Sequence, residues 1–559
     1  MNKAQSTTDE LVFLPLGGSG EIGMNLNLYG HGPAKARQWI MVDLGVTFGD
    51  DSTPGIDLIM PDTRYIEDHV DNLLGLVLTH AHEDHIGAVA HLWPRLRCPV
   101  YATPFTATLV RAKLLEKGIE TQVPLHIVPL GGSITLGPFD IEFVTLTHSI
   151  PEPNALAIRT PLGTIMHTGD WKIDPDPLLG DNMDIARLTA IGDEGVRAMV
   201  CDSTNVFSPG TSGSEGDVAK ALIEAIRPCK GRVAVTAFAS NVARIQSIAR
   251  AAEACDRHVV LVGRAMFRLV GAAREAGYLA DLPPFLTEHD VGYIPNDKVL
   301  LICTGSQGEP RAALARIVED SHPNITLSKG DTVIFSSRVI PGNETSIFDL
   351  QNRLSQRGIS IITERDHFVH VSGHPCRDEL THMYQWVRPE LAIPVHGEAR
   401  HLAEHSALAR QLQVPETITT RNGLMTRIAP GPAEVIGEVP NGRLYLDGDV
   451  LIASDEGAVQ ERRKLSIAGA IFVTLVLDEK GEVRGDPQAR LFGLPEEDSD
   501  GELFEDLVLD AVDEALDRMP AKRRKDEEAV AEAVRRSVRG SIRREWGKKA
   551  QVSVIVTRI

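Results

Sequence analysis

The densest chemistry in the chain lies in one short stretch, Thr79-His80-Ala81-His82-Glu83-Asp84-His85. Four candidate ligands, His80, His82, Asp84 and His85, fall within six positions, directly after the apolar run Leu73-Leu74-Gly75-Leu76-Val77-Leu78. That run reads as a buried strand followed by a turn. The ligands therefore sit where a strand ends and a loop begins, which is where α/β folds place chemistry. Imidazole and carboxylate together suit zinc or manganese. His80 and His82, two apart on extended chain, face the same way and can grip one ion. Asp84 and His85 follow on a tightening turn and face a second.

Other strand ends repeat the arrangement. Short apolar runs deliver Thr147-His148-Ser149, Gly169-Asp170, Cys201-Asp202-Ser203-Thr204-Asn205 and Val395-His396-Gly397-Glu398. Taken alone, each histidine or acid is an ordinary turn residue; after the first motif, His148, Asp170 and His396 become candidate ligands, and Cys201 to Asn205 reads as one more strand ending in polar residues. Asp43 reads as a buried structural carboxylate and His167 as structural. The HxHxDH pattern resembles the signature of the metallo-β-lactamase superfamily. That resemblance implies that His148 joins His80 and His82 on one ion, that His396 joins Asp84 and His85 on the other, and that Asp170 bridges both.

Several elements must position these groups. The loop Gly17-Gly18-Ser19-Gly20-Glu21-Ile22-Gly23 lies between two strands and lacks Gly-Lys-Ser/Thr, so it reads as a tight turn beneath the site rather than a phosphate loop. From about 211 to 370, strands and helices alternate, the pattern of an α/β insert. Strands there end in Ser240-Asn241, Thr304 to Pro310 and Ser336 to Asn343. Such loops either cap helices or offer N–H groups to phosphate. A second histidine cluster, His367 to His374, has no neighbouring acid and suits hydrogen bonding to phosphate or acid–base work. Residues 427–465 read as strands and connections. A small α+β unit follows: Ile467–Leu477 and Val552–Thr557 as strands, Leu503–Met519 and Glu527–Trp546 as helices. The many Arg and Lys residues of Lys522 to Lys549 suit a solvated helix face, an RNA contact or dimerisation.

Bulk properties narrow the field. The chain has 559 residues, 43% hydrophobic and 24% charged, ordinary for globular protein. No apolar stretch has membrane-spanning length, and Met1–Ser6 lacks the apolar core of a signal peptide. Six scattered cysteines without a CxxC pair suit a reducing cytoplasm. A net charge of −20 disfavours non-specific coating of nucleic acid, but leaves room for a locally positive groove.

The chain as a whole resembles the ribonuclease J family, of the β-CASP branch of metallo-β-lactamase-fold nucleases. The matching pieces are Gly17 to Asn25, His80 to His85, His148, His167 to Asp170, Cys201 to Asn205, Phe238 to Asn241, Thr304 to Pro310, Ser336 to Asn343, His370 to His374 and Pro394 to Glu398. The resemblance implies an α/β fold: a metallo-β-lactamase αββα sandwich, an inserted α/β β-CASP domain and a small α+β C-terminal domain. The expected division is 1–210 and 371–450 for the sandwich and its linker, 211–370 for the insert and 466–559 for the last domain. It implies two divalent ions, zinc or manganese, and a structural calcium for which Asp50 and Asp447 are candidates. It also implies two activities on single-stranded RNA, 5′→3′ exonucleolysis from a 5′-monophosphate and internal cleavage. His374 or Asp202 would take part in proton transfer. Ser240, His370, Val371, Ser372, Gly373 and His374 would form the 5′-phosphate pocket. Homodimers or homotetramers and an RNA-degradation complex are the expected partners. The rivals are a β-CASP nuclease acting on DNA, a small-molecule hydrolase and a non-enzymatic scaffold.

Overall fold

The computed structural model describes residues 8–340 and 342–559; Met1–Ser6 and Pro341, both part of stretches read above, lie outside them. The chain forms two compact units, residues up to Thr47 with Met60–Arg443, and Phe48–Ile59 with Leu444–Ile559.

In the first unit two sheets face each other. One is eight-stranded, in the order Glu434–Glu438, Leu424–Ala429, Glu10–Gly17, Leu26–Gly32, Gln38–Val42, Leu73–Val77, Val100–Ala102 and Leu125–Ile127. The other is seven-stranded, running Ser133–Leu136, Phe139–Thr145, Asn154–Thr160, Gly163–His167, Ala198–Asp202, Leu391–Val395 and Glu416–Thr417. Alternate residues of both sheets interdigitate in one core: Leu11, Phe13, Tyr29, Ile40 and Val42 meet Phe139, Ile141, Leu156, Ile158 and Ile393. The outer face of the second sheet, through Val144, Ala157, Met166 and Met199, is covered by the helices Ile185–Glu194, Arg377–Val387 and Ala399–Gln411. Helix Pro104–Glu116 lies against Val100–Ala102 and Leu125–Ile127 of the first. This is the expected αββα sandwich.

Register explains where the ligands collect. Gln38–Val42 and Leu73–Val77 run parallel with Val42 level with Val77, so Asp43 and Thr79 emerge at one edge. In the other sheet His167 is level with Val200, and Asp202 with Val395. Asp170, Asp202 and His396 thus emerge at the carboxyl ends of neighbouring parallel strands.

The insert is a five-stranded, wholly parallel sheet in the order His258–Val262, Val299–Cys303, Val233–Thr236, Thr332–Phe335, Ser360–Ile362. Its strands are nearly continuous aliphatic runs because helices cover them.

The second unit holds a three-stranded sheet, Gln488–Phe492, Ala470–Leu477 and Gln551–Arg558, packed on helices Phe504–Asp517 and Glu527–Trp546. The latter buries a stripe of Val530, Val534, Val538 and Ile542, four residues apart, and leaves its arginines outside. Arg535 pairs with Glu532 and Arg558 with Glu527, as a solvated face would. Two expectations fail here. Residues 457–468 are a helix rather than strands and connections, and the following strand begins at Ala470, not Ile467. The run Val459-Gln460-Glu461-Arg462-Arg463-Lys464-Leu465 favours a helix, and Gly469, at φ +64°, ends it.

Candidate metal centre

The HxHxDH motif bends just as its ligands pass. His80 follows the strand Leu73–Val77; His82, itself extended, precedes a helical turn, Glu83–Ile86, that carries Asp84 and His85. The turn fits only because residue 45 is glycine: a Cβ there would lie 1.7 Å from the Asp84 carbonyl oxygen. The glycine loop expected beneath the site holds His396 instead. Gly18, at φ +81°, presents its carbonyl to the His396 N–H at 2.6 Å, and Ser19 pairs with Gly397. His396 itself adopts φ +52°, a conformation that costs energy for a residue with a side chain.

Seven side chains converge in two overlapping groups, His80, His82, His148 and Asp170, and Asp84, His85, Asp170 and His396. In the first, His82 Nδ1 lies 3.1 Å from His80 Nε2 and 3.0 Å from His148 Nε2. Three imidazole nitrogens aimed at one another cannot all be satisfied by protons; a cation between them satisfies all three. In the second, His85 Nε2 lies 3.1 Å from Asp170 Oδ2, and His396 Nε2 lies 3.2 Å from Asp84 Oδ2. A third group, Asp170, Asp202, His374 and His396, adjoins them. The donor set, imidazole plus carboxylate with Asp170 common to both groups, fits a pair of zinc or manganese ions.

The far nitrogen of each of four rings is fixed. His80 Nδ1–H donates to Thr79 Oγ1 at 3.0 Å, which donates to Asp43 Oδ2 at 2.8 Å. His85 Nδ1–H donates to the same Asp43 oxygen at 2.7 Å. His396 Nδ1–H donates to Thr204 Oγ1 at 2.8 Å, which donates to Asp202 Oδ1 at 2.7 Å. His148 Nδ1–H donates to the Gly373 carbonyl. Such partners set tautomer and aim. Asp43 is fully buried, as expected of a structural carboxylate, but it also orients two site histidines. Its role and the threonine relays were missed; Thr directly before His80, and Asp202-Ser203-Thr204, were the available signals. His167 is held apart by Tyr29 Oη at 2.8 Å, in line with a structural residue.

Electrostatics divide the cluster. Burial, reinforced by the neighbouring imidazoles, holds His80 and His148 well below the usual histidine range. Burial brings His82 down to about 4 despite Asp84 and Asp170. Those three rings are neutral and carry lone pairs. Burial also works against charge on His85 and His396, but Asp170 and the other acids outweigh it and raise both. His374 is raised the same way by Asp202 and Asp170; its Nδ1–H donates to Asp202 Oδ2 at 2.8 Å.

The second histidine cluster lies alongside. Gly373 is required there, since a Cβ would stand 2.7 Å from His148 Cε1. Ser372 Oγ accepts from Asn205 Nδ2 at 2.7 Å and from the His374 N–H at 3.2 Å. Val371 is buried, so only its backbone is available to a ligand. His370 is half-buried beside Arg244 Nη1 at 3.4 Å; desolvation, then Arg244, holds it well below the usual range. Ser240 lies on the turn before helix Val242–Ala254; among the described residues no hydrogen bond joins it to His370 or Ser372.

Arg244, also missed, is the hub of the crossing between sandwich and insert. Fully buried, it forks onto Glu215 at 2.9 and 3.0 Å and reaches the Ser336 and Val369 carbonyls at 2.8 and 3.2 Å. The calcium candidates stand elsewhere. Asp447 forks onto Arg462, and Asp50 accepts from Ser52 N–H at 2.8 Å. Neither falls in a ligand group among the described residues.

Comparison with known proteins places this geometry. Residues 39–205 match a beta-lactamase superfamily domain and 230–354 the Ribonuclease J beta-CASP domain. Residues 358–418 match a Zn-dependent metallo-hydrolase RNA specificity domain and 457–559 the Ribonuclease J C-terminal domain. The chain is 52% identical to Ribonuclease J of Sinorhizobium meliloti over the full length of both. It is 41% identical to that of Corynebacterium glutamicum, over 86% of this chain and 67% of the relative. With that of Thermus thermophilus the figure is 37%, over 84% and 83%. The chain belongs to the ribonuclease J family of metal-dependent hydrolases.

Proposed function

We propose that the chain hydrolyses phosphodiester bonds in single-stranded RNA at a two-ion centre, both 5′→3′ from monophosphorylated ends and internally. The observation that carries this is the convergence of two ligand groups on the single carboxylate of Asp170. His80, His82 and His148 would hold one ion, and Asp84, His85 and His396 the other. Bound there, zinc or manganese would supply an activated water and charge neutralisation at phosphorus. The chain's own residues do the rest. Asp43 and Asp202 keep the imidazoles aimed through Thr79 and Thr204. His374, held by Asp202, delivers a proton to the departing 3′-oxygen. Ser240, His370, Ser372 and the backbone of Val371 and Gly373 receive the terminal phosphate. Burial, then Arg244, holds His370 well below the usual histidine range, and its ring would meet the phosphate by hydrogen bonding. A 5′-monophosphate fits such a pocket; a triphosphate is excluded by its bulk and charge. Each cut leaves a new 5′-monophosphate, which returns as substrate.

The same reading includes a cytoplasmic location, a homodimer or homotetramer, participation in an RNA-degradation complex, and the division 1–210, 211–370, 371–450 and 466–559. No helix among the described residues is long and apolar enough to cross a membrane. The test is cleavage of one sequence as 5′-monophosphate RNA, 5′-triphosphate RNA and single-stranded DNA, with and without chelator. Metal-dependent, end-biased loss of the first substrate is expected. Equal cleavage of all three, or cleavage indifferent to chelator, contradicts the proposal.

A further inference from the structure

The helices that cover the seven-stranded sheet hold a second polar chain, wholly inside the protein. Ser203 follows Asp202 at its strand end, and its Oγ lies 2.8 Å from His405 Nδ1. His405 Nε2 lies 2.9 Å from Tyr384 Oη. Ser203 and His405 are fully buried, and Tyr384 nearly so. His405 stands on helix Ala399–Gln411 and Tyr384 on helix Arg377–Val387. One imidazole thus bridges a strand end and two covering helices. It belongs to none of the ligand groups.

Protons can run only one way along this chain. Burial holds the Tyr384 phenol well above its usual range, so it keeps its proton. Burial brings His405 down to about 4 despite Asp202, so the ring is neutral. Tyr384 Oη has no other hydrogen-bond partner among the described residues, so its O–H donates to Nε2. Nδ1–H then donates to Ser203 Oγ, which turns its own proton toward the Cys201 carbonyl at 3.5 Å. Every donor is used. A fully satisfied polar chain in a core fixes one arrangement of its neighbours more sharply than apolar packing does. The neighbours here are the two halves of the Asp202–His374 pair. Asp202 directly precedes Ser203. His374 lies just before helix Arg377–Val387, and its carbonyl accepts from Asn205 Nδ2 at 3.0 Å. The first turn of that helix is stitched to the same segment: Arg377 N–H donates to the Ser208 carbonyl at 2.9 Å, and Asp378 N–H to that of Gly210 at 3.1 Å. A slip of the helix against the strand end would open the 2.8 Å bond from His374 Nδ1–H to Asp202 Oδ2.

We infer that His405 is a positioning residue for the Asp202–His374 pair, acting through Ser203 on the acid and through Tyr384 on the helix that follows the histidine. The inference rests on the reading of His374 as proton donor. Its test uses full-length, metal-loaded protein on one 5′-monophosphate RNA, with His405→Leu, His405→Gln and Tyr384→Phe, each alone and combined with His374→Ala. His405→Leu should lower kcat about 30-fold, part of the roughly 100–10,000-fold that a positioned acid–base group supplies, at unchanged KM and metal content. His405→Gln, whose amide can accept from Tyr384 and donate to Ser203, should recover most of the loss. Tyr384→Phe removes one oxygen and should cost about 3-fold, the loss of one hydrogen bond, which keeps the test open if His405→Leu fails to fold. On the His374→Ala background none of the three should cost anything further, because the effect runs through His374. An equal loss on both backgrounds, a fall in metal content, or no loss at all overturns the inference. The low-field proton of His374 Nδ1–H, assigned by its absence from His374→Ala, reads the pair without turnover. It should move in His405→Leu and in Tyr384→Phe and return in His405→Gln; a signal that stays in place overturns the inference. A wild type that shows these shifts but cleaves no RNA would sink the ribonuclease reading and leave the positioning role standing.

Discussion

The metal centre and the insert's cavity at the ends of strands His258–Val262 and Val299–Cys303, where Arg264, Arg268, Arg311 and Arg316 gather, hold charge in opposite ways. In the centre nearly every group is buried, and four of the rings are fixed through a second partner: His80 and His85 through Asp43, His396 through Asp202, His148 through Gly373. In the cavity Arg264 and Arg316 are exposed and unpaired among the described residues, and Phe267 is open. Ions of fixed radius reward rigid donors whose geometry is set beforehand. Substitutions in the first region should therefore act on metal content and kcat, and in the second should leave metal content unchanged.

The largest effect expected is from Asp170→Ala, which removes the carboxylate common to both ligand groups. Loss of several kcal/mol of transition-state stabilisation corresponds to at least about 1000-fold in kcat. Next comes Arg244→Ala. Leaving Glu215 buried without its partner should cost about 3–5 kcal/mol of stability, read from denaturant unfolding. Asp43→Asn should lower metal affinity about 10–100-fold, read by competition with a chelating dye, because two histidines lose their orientation. Ser240→Leu with Ser372→Leu should slow end-dependent degradation more than internal cutting; equal loss of both would remove the phosphate pocket from the account.

The smallest effect is a pH dependence at the crossing. Burial disfavours charge on Glu215 and Asp174, but Arg244 and Lys172 respectively outweigh it and depress both. A depressed acid stabilises the fold above its ordinary range and loses that contribution as pH falls through the lowered value. Amide exchange around 213–215 and 369–370 should accelerate selectively below the ordinary carboxylate range, and Glu215→Gln should blunt that acceleration.

The sequence made the ligands legible because each follows an aliphatic strand, and parallel register then forces those ends together. His148, Asp170 and His396 are dispersed over 249 positions, yet they arrive beside the motif, where the order of strand ends put them. What escaped was whatever depends on a partner brought by folding. Asp43 could be read as buried but not as the orienter of His80 and His85. Arg244 and Glu215, 29 residues apart, carry no local pattern. The helix at 457–468 was lost among flanking Gly and Pro turns. The cavity arginines come from helix Arg264–Glu275, helix Ala313–Val318 and the turn at Arg311, so only the folded insert assembles them.

The central claim is that His80, His82, Asp84, His85, His148, Asp170 and His396 together form a two-ion hydrolytic centre. Metal content and 5′-monophosphate RNA cleavage measured side by side for the wild type and Asp170→Ala test it most directly. The account predicts two divalent ions per wild-type chain, a reduced count in the variant, and cleavage that falls with it. A variant that retains two ions and digests RNA at the wild-type rate would contradict it.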